Sequence, residues 1–359
     1  ELQAVLEREL DNAVSKYSPE QAIGIVMNPN TGEIYAMSSR PNFSPSNYKE
    51  YDIEVINRNL PIWATYEPGS TFKIITLATA LEEKLIDLDK DTFYDSGSVN
   101  IDGARIKCWK KGGHGAETYL DVVKNSCNTG FVAMGNKIGK ETLFKYIKNF
   151  GFGSKTGIDL NGEGSGILFN VNKVGPVELA TTSFGQGVSV TPIQQVVAVS
   201  ASINGGYLYK PYIVKSLNDP ETNNVIKENT PTLVRKVISE DTSEKVRYAL
   251  ENVVSRGTGR NAYIANYRVG GKTGTAQKVK NGVYMVGNYI TSFIGFLPAD
   301  KPEVVVYIAI DNARGVTQYG GTVAAPIAKN VLYDSANILG IEKREEVIEK
   351  NYNYLEKKY

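Results

Sequence analysis

The feature that most constrains how this 359-residue chain can fold is that its strand-like segments lie at its two ends, with helix-like segments between them. Residues 22–27 and 33–37 are predicted to form a β-hairpin, because a turn rich in Asn, Pro and Gly separates two apolar runs. Residues 269–279, 289–296 and 303–311 are predicted to form three further strands. Strands this far apart can share a sheet only if the chain between them is inserted as a unit.

The segments between the two groups of strands have mostly helical periodicity. The predicted helices are 3–16, 70–83, 117–126, 128–138, 141–149, 191–204, 240–255 and 322–339, with a hairpin over 92–108 and a glycine-rich loop region over 151–187. We therefore expect an α+β fold, in which an antiparallel sheet built from both chain ends is flanked by helices and carries an inserted, mostly helical subdomain. The sheet subdomain is predicted over 17–69 and 256–341, the helical subdomain over 70–255, and a charged tail over 342–359.

Charge and composition narrow the classes of partner. The 40 Lys and Arg residues nearly balance the 39 Asp and Glu residues, so the net charge of +1 gives no reason to expect nucleic acid. Two cysteines are too few for a disulfide-stapled scaffold or an all-cysteine zinc fold. The longest uninterrupted apolar run, Val304 to Ile310, is far shorter than the ~18 residues of a membrane span. Because the sequence begins at Glu1, we expect it to be part of a longer protein.

One short motif offers a serine nucleophile with a base. A serine needs such a base at neutral pH, and a Ser-His-Asp arrangement would depend on the single histidine, His114. Ser70 and Lys73, in Ser70-Thr71-Phe72-Lys73, share one face of the predicted helix, at an end where free N–H groups can stabilise an oxyanion. Ser46 and Lys49 have the same spacing but lie in a Pro-, Ser- and Asn-rich loop. Alone, such a pair is more often a solvated lysine near a helix cap.

Two further motifs carry polar groups suited to a peptide substrate. Ser126-Cys127-Asn128 lies at the junction of two predicted helices, although S-x-N also occurs elsewhere in the chain. Lys272-Thr273-Gly274-Thr275 lies in a predicted strand, where charge and hydroxyl groups suit a carboxylate and Gly274 permits close approach of a substrate backbone. Lys155-Thr156-Gly157 repeats the pattern outside any predicted strand.

The three motifs are informative as a set, with 56 residues between Ser70 and Ser126 and 146 between Ser126 and Lys272. S-x-x-K, S-D-N and K-T-G together are the signature of β-lactamases and penicillin-binding proteins. The chain resembles the transpeptidase domain of class B penicillin-binding proteins along almost its entire length, and residues 102–115 look most like the stage V sporulation-specific branch. Further segments that carry the resemblance are Tyr66-Glu67-Pro68-Gly69, Gly185-Gln186-Gly187, Thr191-Pro192-Ile193-Gln194, Gly257-Thr258-Gly259 and Ser292-Phe293-Ile294-Gly295-Phe296.

The resemblance implies a fold and an activity. The fold would be that of penicillin-binding proteins and serine β-lactamases, with the transpeptidase domain over 1–341. The activity would be the cross-linking of peptidoglycan: Ser70 attacks the carbonyl of the penultimate D-Ala, the terminal D-Ala leaves, and an amine from a second stem peptide takes the acyl group. β-Lactams, which mimic D-Ala-D-Ala, would leave a stable acyl-Ser70. No cofactor is required for this chemistry.

The resemblance also implies roles for the other motif residues. Lys73 would be the base, with its pKa lowered by Lys272 and by a low-dielectric pocket. Ser126 would relay the proton to the leaving amine, and Asn128 would hold Lys73 and the substrate amide. The backbone N–H groups of Ser70 and Thr275 would bind the oxyanion. The terminal carboxylate would be held by Lys272, Thr273 and Thr275, beside Gly274.

Location, partners and rival functions follow from the same resemblance. The family implies an extracytoplasmic protein with an N-terminal membrane anchor and a pedestal domain, and a membrane-embedded glycan polymerase as partner. The sporulation branch adds the forespore envelope. Three rival functions remain: a D,D-carboxypeptidase that uses the same residues with water as acceptor, a β-lactam sensor that is acylated once, and a serine β-lactamase, which shares the first motif. The β-lactamase needs a carboxylate that activates a deacylating water, and none is identifiable in 151–187.

Both cysteines and the only histidine lie within 20 residues, at Cys108, His114 and Cys127. Three interpretations remain open: free buried thiols beside an unrelated histidine, a Cys108–Cys127 disulfide, or a structural Zn²⁺ site of two thiolates, one imidazole and one carboxylate. For the fourth ligand, Asp102 ranks above Asp95, Glu117 and Asp121, because Asp102 and His114 both lie six residues from Cys108. Asp102 is equally well explained as the first residue of an Asp-Gly turn.

Overall fold

The structure of the protein is a computed structural model, and it describes residues 1–280 and 282–344. The helices are α1 (Leu2–Tyr17), α2 (Ile53–Asn57), α3 (Leu60–Trp63), α4 (Lys73–Glu82), α5 (Tyr119–Lys124), α6 (Asn128–Ile138), α7 (Lys140–Asn149), α8 (Pro176–Thr182), α9 (Pro192–Ile203), α10 (Glu240–Arg256) and α11 (Ala324–Leu339). The strands are β1 (Gln21–Met27), β2 (Ile34–Arg40), β3 (Thr92–Asp95), β4 (Ser98–Ile101), β5 (Ala104–Lys107), β6 (Gly115–Thr118), β7 (Tyr207–Tyr209), β8 (Ser216–Asn218), β9 (Val225–Glu228), β10 (Leu233–Lys236), β11 (Gly270–Lys280), β12 (Val283–Leu297) and β13 (Val304–Asp311). The charged tail predicted over 342–359 lies outside the described residues from position 345 onward.

A five-stranded antiparallel sheet organises the molecule. Its strand order is β11-β12-β13-β1-β2, so strands from both chain ends pair at its centre, with Ile25 opposite Tyr307. The predicted α+β fold, with one sheet built from the two ends of the chain, is confirmed. Among the described residues, no helix is both long enough and apolar enough to cross a membrane.

Two apolar cores cover the two faces of this sheet. Because successive strand residues point to opposite faces, Ile23 and Ile25 enter the core shared with the helical region, and Ala22 and Val26 enter the core beneath α1 and α11. Six of the seven residues of β1 are therefore buried, which matches the nearly continuous apolar run in the sequence.

Helix α4 lies inside the helical region, where it contacts α6, α7, α9 and α10. Residues 73–81 of α4 are all buried, as expected for a helix surrounded by other elements. A 3-10 turn, Gly69–Thr71, precedes α4 and contacts β11. A Cβ on Gly69, whose φ is +55°, would lie 3.2 Å from that of Ala276. The start of α4 is therefore fixed against the edge strand of the sheet.

The structure differs from the local predictions mainly between residues 92 and 126. Only β4 and β5 form the hairpin predicted over 92–108, whereas β3 pairs with β6 some twenty residues away. The predicted helix 117–126 is correspondingly shorter, because its first two residues belong to β6. The region 151–187 contains α8, which begins with a proline and is capped by the Glu178 carboxylate. Four-residue strands paired at long range leave too weak a periodicity to be read locally.

Candidate active site

Ser70 and Lys73 are brought to one place by the turn that opens α4. Ser70 is the middle residue of the 3-10 turn and Lys73 is the first residue of α4. Lys73 is 1% exposed, whereas Ser70 is partly accessible. In the described part of the chain, the Ser70 hydroxyl makes no hydrogen bond to the Lys73 ammonium. Catalytic hydrogen bonds commonly tighten only when substrate is bound, so this separation does not contradict the pair.

The Lys73 ammonium is anchored by the second motif. Its Nζ donates to Asn128 Oδ1 at 2.7 Å, to the Ser126 carbonyl oxygen at 3.0 Å and to Ser126 Oγ at 3.2 Å. The Asn128 amide in turn donates to the Lys107 carbonyl oxygen at 3.2 Å, which ties α6 to the end of β5. The first and second motifs thus meet in one hydrogen-bonded group.

The third motif reaches the same serine from the sheet. Lys272 Nζ donates to Ser126 Oγ at 2.8 Å and to its neighbour's carbonyl oxygen at 3.2 Å. The Ser126 hydroxyl therefore lies between two ammonium groups that come from α4 and β11. Ser126 has a φ of +54°, an unusual value for a non-glycine residue that is commonly retained at functional sites.

Burial governs the electrostatics of the two lysines. Burial lowers the pKa of Lys73 to about 7, and this effect outweighs the nearby thiols of Cys127 and Cys108, which raise the pKa. Burial and, second, the charge of Lys73 lower the pKa of Lys272 well below its ordinary range. Repulsion between the two lysines therefore lowers the pKa of Lys272, whereas the pKa of Lys73 is lowered by burial and not, as predicted, by Lys272.

The remaining residues of the third motif alternate across β11. Lys272 and Gly274 face the helical region, while Thr273 Oγ1 lies 3.2 Å from Thr258 Oγ1 and Thr275 Oγ1 accepts from the Gly320 N–H at 3.0 Å. A Cβ on Gly274 would lie 2.3 Å from Ser292 Oγ. Packing within the protein thus favours glycine at this position. The sequence analysis explains Gly274 only by the close approach of a substrate backbone.

The two sequence look-alikes lie outside this group. Ser46 and Lys49 lie in an exposed 3-10 helix, Pro45–Glu50. Thr156 of the second K-T-G donates to the buried carboxylate of Glu163, which fixes a loop rather than a site. Both look-alikes therefore lie in loops away from the group formed by the three motifs, as their sequence contexts predict.

A second cluster lies directly beside Ser126. Ligand atoms of Asp95, Cys108, His114 and Cys127 all lie within 4.8 Å of one another. Cys108 Sγ lies 3.4 Å from His114 Nδ1 and 4.0 Å from Cys127 Sγ, about twice the length of a disulfide bond. Both cysteines are free and buried in this structure.

The carboxylate of this cluster corrects the sequence interpretation. Asp102 was expected as the fourth ligand, but it lies at the exposed tip of the β4–β5 hairpin with a φ of +46°, and Asp95 takes that position in the cluster. The reason is the pairing of β3 with β6, which places Asp95 opposite Gly115 and next to His114. One sequence signal for the position of Asp95 is that it ends a strand-like Thr-Phe-Tyr run and begins an Asp-Ser-Gly turn.

Hydrogen bonds hold the Asp95 carboxylate ionised and aimed at the cluster. Burial raises its pKa, but donors from Thr129, Gly97 and His114 outweigh burial and hold the pKa well below its usual range. A hydrogen bond from the Cys127 thiol lowers the pKa of Cys108 to about 6. The same hydrogen bond, together with burial, raises the pKa of Cys127. The four groups form a donor set that suits Zn²⁺: one carboxylate, two thiols, of which one readily becomes a thiolate, and one imidazole.

Comparisons with known proteins agree with this geometry. The family model "Penicillin binding protein transpeptidase domain" matches residues 22–333. Over 353 residues the chain is 62% identical to Stage V sporulation protein D of Bacillus subtilis, covering 98% of this chain and 55% of that protein. It is 30% identical over 342 residues to Peptidoglycan D,D-transpeptidase FtsI of Escherichia coli, covering 95% of this chain and 55% of the relative. The chain thus spans little more than half the length of these curated relatives.

Solved structures give the same result for the fold. The transpeptidase domain of penicillin-binding protein 3 from Burkholderia pseudomallei matches with a TM-score of 0.83 at 28% identity, covering 96% of both chains. Penicillin-binding protein 3 of Mycobacterium tuberculosis, complexed with ampicillin, matches with a TM-score of 0.88 at 27% identity, covering 96% of this chain and 78% of that one.

Proposed function

The chain belongs to the penicillin-binding protein transpeptidase family, and on that basis we propose that it is the catalytic domain of a peptidoglycan D,D-transpeptidase. The observation that carries the proposal is the position of the Ser126 hydroxyl between the ammonium groups of Lys73 and Lys272, beside the turn that presents Ser70. The first motif supplies a nucleophile and a base with a lowered pKa, and the second supplies a proton relay to which Lys272 of the third motif donates, as an acyl transfer requires.

In the first half-reaction, Ser70 Oγ attacks the carbonyl carbon of the penultimate D-Ala of a donor stem peptide. Neutral Lys73 takes the hydroxyl proton. The C–N bond to the terminal D-Ala then breaks, and the Ser126 hydroxyl passes a proton to the leaving amine, drawing on the lysine ammonium groups that donate to it. The products are free D-Ala and an acyl ester on Ser70.

In the second half-reaction, the amine of a second stem peptide attacks the ester. Its proton passes through Ser126 to Lys73, Lys73 returns a proton to the Ser70 oxygen as that oxygen leaves, and a new amide joins the two peptides. Lys272, Thr273 and Thr275 would hold the donor's terminal carboxylate, and the backbone N–H groups of Ser70 and Thr275 would stabilise the oxyanion. A β-lactam would acylate Ser70 in the same way, but its leaving amine stays attached to the acyl group through the ring and does not depart.

The experiment is an assay with a D-Ala-D-Ala donor and an amine acceptor, analysed by mass spectrometry. We expect an amide-linked product, which separates the transpeptidase from a D,D-carboxypeptidase, whose product would be the hydrolysed peptide. With penicillin we expect a single stoichiometric adduct on Ser70 that is absent from the Ser70→Ala protein. Sustained rapid hydrolysis of nitrocefin would instead indicate a β-lactamase, and one acylation without any peptide product would indicate a sensor.

We further propose that Asp95, Cys108, His114 and Cys127 hold a structural Zn²⁺. The separations of 4.0 Å between sulfurs and 3.4 Å between sulfur and imidazole are close to the ~3.8 and ~3.6 Å edges of a tetrahedral zinc site. The metal would join β3, the chain after β5 and the start of α6, next to Ser126. Four protein ligands leave no open position for water, so its role would be structural.

Elemental analysis of protein prepared in metal-free buffer tests the zinc proposal. We expect one zinc per chain in the unaltered protein and in Asp102→Asn, and a large loss in Asp95→Asn. Chelation of the metal should lower Tm and slow acylation by penicillin. Well under one zinc per chain in the unaltered protein would contradict the proposal, and zinc-free protein without titratable thiols would indicate the disulfide.

Location and protein partners are proposed on family grounds. The relatives' names and the identity of 62% to a stage V sporulation protein support an extracytoplasmic enzyme that acts on the forespore envelope. We propose that a membrane anchor lies outside these 359 residues and that the full protein works with a membrane-embedded glycan polymerase. Microscopy of a fluorescent fusion in sporulating cells, with co-purification of the polymerase, tests both points.

A further inference from the structure

A cavity of about 450 Å³ lies where the third motif ends. Its floor is the sheet face that packs toward the helical region, formed by Ile23, Ile290 and Ala309. Polar side chains line its walls: Thr65, Glu67, Ser189, Gln277, Lys278 and Asp311. None of these residues has a role in the acyl transfer described above.

The walls carry an excess of negative charge. Lys278 Nζ pairs with Asp311 at 2.9 Å and with Glu20 at 2.5 Å, so its charge is compensated twice. Glu67 has no cation within ion-pair distance among residues 1–280 and 282–344. Its carboxylate accepts from the Gly187 N–H at 2.8 Å and from the Tyr284 hydroxyl at 3.1 Å. Because a carboxylate has about four acceptor sites, Glu67 can accept further hydrogen bonds from a ligand in the cavity.

The cavity lies along the path of an extended donor peptide. β11 is an outer strand of the sheet, and such strands bind extended peptides through their free edge. The cavity begins at Ala276, the residue after Thr275, and Ala276 packs against the turn that carries Ser70. An extended peptide rises about 3.3 Å per residue. With the terminal carboxylate at 272–275, the residue before D-Ala-D-Ala therefore lies opposite 276–278.

Neither D-Ala has a side-chain amine, so the amine through which stem peptides are cross-linked belongs to a residue that precedes D-Ala-D-Ala. The acceptor amine belongs to the same kind of stem peptide as the donor, so a donor that has not yet been cross-linked carries the same amine as an ammonium group. Once the amine has reacted, it is a neutral amide. A carboxylate at this point distinguishes the two states by charge.

We propose that the cavity is a subsite for the side-chain ammonium of the donor stem peptide, with the Glu67 carboxylate as its counter-ion and Tyr284 orienting that carboxylate. This proposal rests on the transpeptidase function. The enzyme would thereby choose as donors those stem peptides whose own amine is still free. Ser70 lies three residues after Glu67, so the subsite and the nucleophile are held by one segment.

The test uses two synthetic donor peptides that differ only in a free or an N-acetylated side-chain amine. Each competes with a fluorescent penicillin for Ser70, and the rate of labelling reports peptide binding whether or not the peptide turns over. We expect the free-amine peptide to protect Ser70 about 10-fold better. In Glu67→Gln, which keeps an acceptor for the Gly187 N–H, the preference should fall below about 2-fold, with labelling in the absence of peptide unchanged. Glu54→Gln, an exposed carboxylate paired with Arg58, is the matched control.

Two further measurements test the subsite without relying on the folding of Glu67→Gln. Tyr284→Phe should weaken the preference about 2- to 3-fold, and the preference of the unaltered protein should decrease between about 0.05 and 0.5 M salt. Equal protection by both peptides, or an equal loss of both in Glu67→Gln, would overturn the subsite. A preference without release of D-Ala from either peptide would leave the subsite standing and would contradict the transpeptidase function.

Discussion

At the scale of single residues, Ser126 is held between two buried ammonium groups, and burial determines what each of them can do. Lys73 can exchange a proton near neutral pH because burial lowers its pKa to about 7. The pKa of Lys272 is also lowered well below its ordinary value, by burial first and by the charge of Lys73 second. Two ammonium groups donating to one hydroxyl oxygen leave the hydroxyl hydrogen free to point toward a leaving group.

The first prediction concerns pH. If neutral Lys73 is the base, the second-order rate of Ser70 acylation by penicillin should fall about 10-fold per pH unit below its pKa and level off above it, with a midpoint at about 7. Lys73→Arg, which cannot deprotonate, should lose at least about 10³-fold at every pH. Circular dichroism at each pH confirms that the fold is intact. A flat profile through pH 7 would contradict Lys73 as the base.

The second prediction concerns the relay. Ser126→Ala removes the acceptor shared by Lys73 and Lys272 and should slow penicillin acylation about 10²-fold while Ser70 remains labelled. Ser200→Ala is the matched control, since Ser200 is a buried serine whose hydroxyl has no hydrogen-bond partner in the described part of the chain. Equal rates for the two variants would exclude a role for the Ser126 hydroxyl.

At the scale of elements, the site depends on how closely β11 packs against the turn before α4 and against β12. Gly69 packs against Ala276, and Gly274 lies against Ser292 and Thr71. Each contact leaves less room than one methyl group requires. The strand that carries Lys272 is therefore positioned by glycines that have no chemical role themselves.

The third prediction follows from that packing. Gly274→Ala would place its Cβ 2.3 Å from Ser292 Oγ and should destabilise the protein by about 1–3 kcal/mol while slowing acylation of Ser70. Adding Ser292→Ala removes the oxygen that clashes and should restore part of both losses. Thermal melts and penicillin labelling measure the effects. Strictly additive losses in the double variant would show that the clash is not the cause.

The elements also show what could be predicted from the sequence. The sheet strands and α4 were predictable because long apolar periods and a helix start identify them, and the motif residues 70–73, 126–128 and 272–275 were predictable from spacing and context. The sequence analysis names Asp95 as a possible ligand but ranks it below Asp102, because β3 and β6 are four residues each and their pairing across twenty residues cannot be predicted locally. The cavity beside Glu67 could not be predicted either, since its lining residues come from segments that lie far apart in the sequence and that only the fold brings together.

At the scale of the whole molecule, the two cores make the chain ends interdependent. α1 covers the sheet face opposite the helical region, with Leu6 and Leu10 fully buried, and a Cβ on Gly24 of β1 would collide with Leu6. α11 packs beside α1 on the same face. The reacting groups lie on the other face, so α1 supports the site only through the sheet.

The fourth prediction uses this separation. Leu10→Ala should lower the free energy of unfolding by about 2–5 kcal/mol, because it leaves a cavity beneath the sheet. Below the melting transition, however, the rate of Ser70 acylation should stay within about 2-fold of the unaltered protein. Denaturant unfolding and penicillin labelling at low temperature provide the two readouts. A large loss of acylation in a fully folded variant would show that the two faces of the sheet are coupled.

The pairing of β1 with β13 also bears on how the protein is made. About 280 residues separate the end of one strand from the start of the other. At ribosomal rates of about 5–20 residues per second, the N-terminal hairpin exists for roughly 15–55 s before its central neighbour has been synthesised. During that time an apolar strand edge has no partner from its own sheet, which is a condition that favours aggregation. Newly made chains should therefore depend on holding chaperones until β13 has been synthesised.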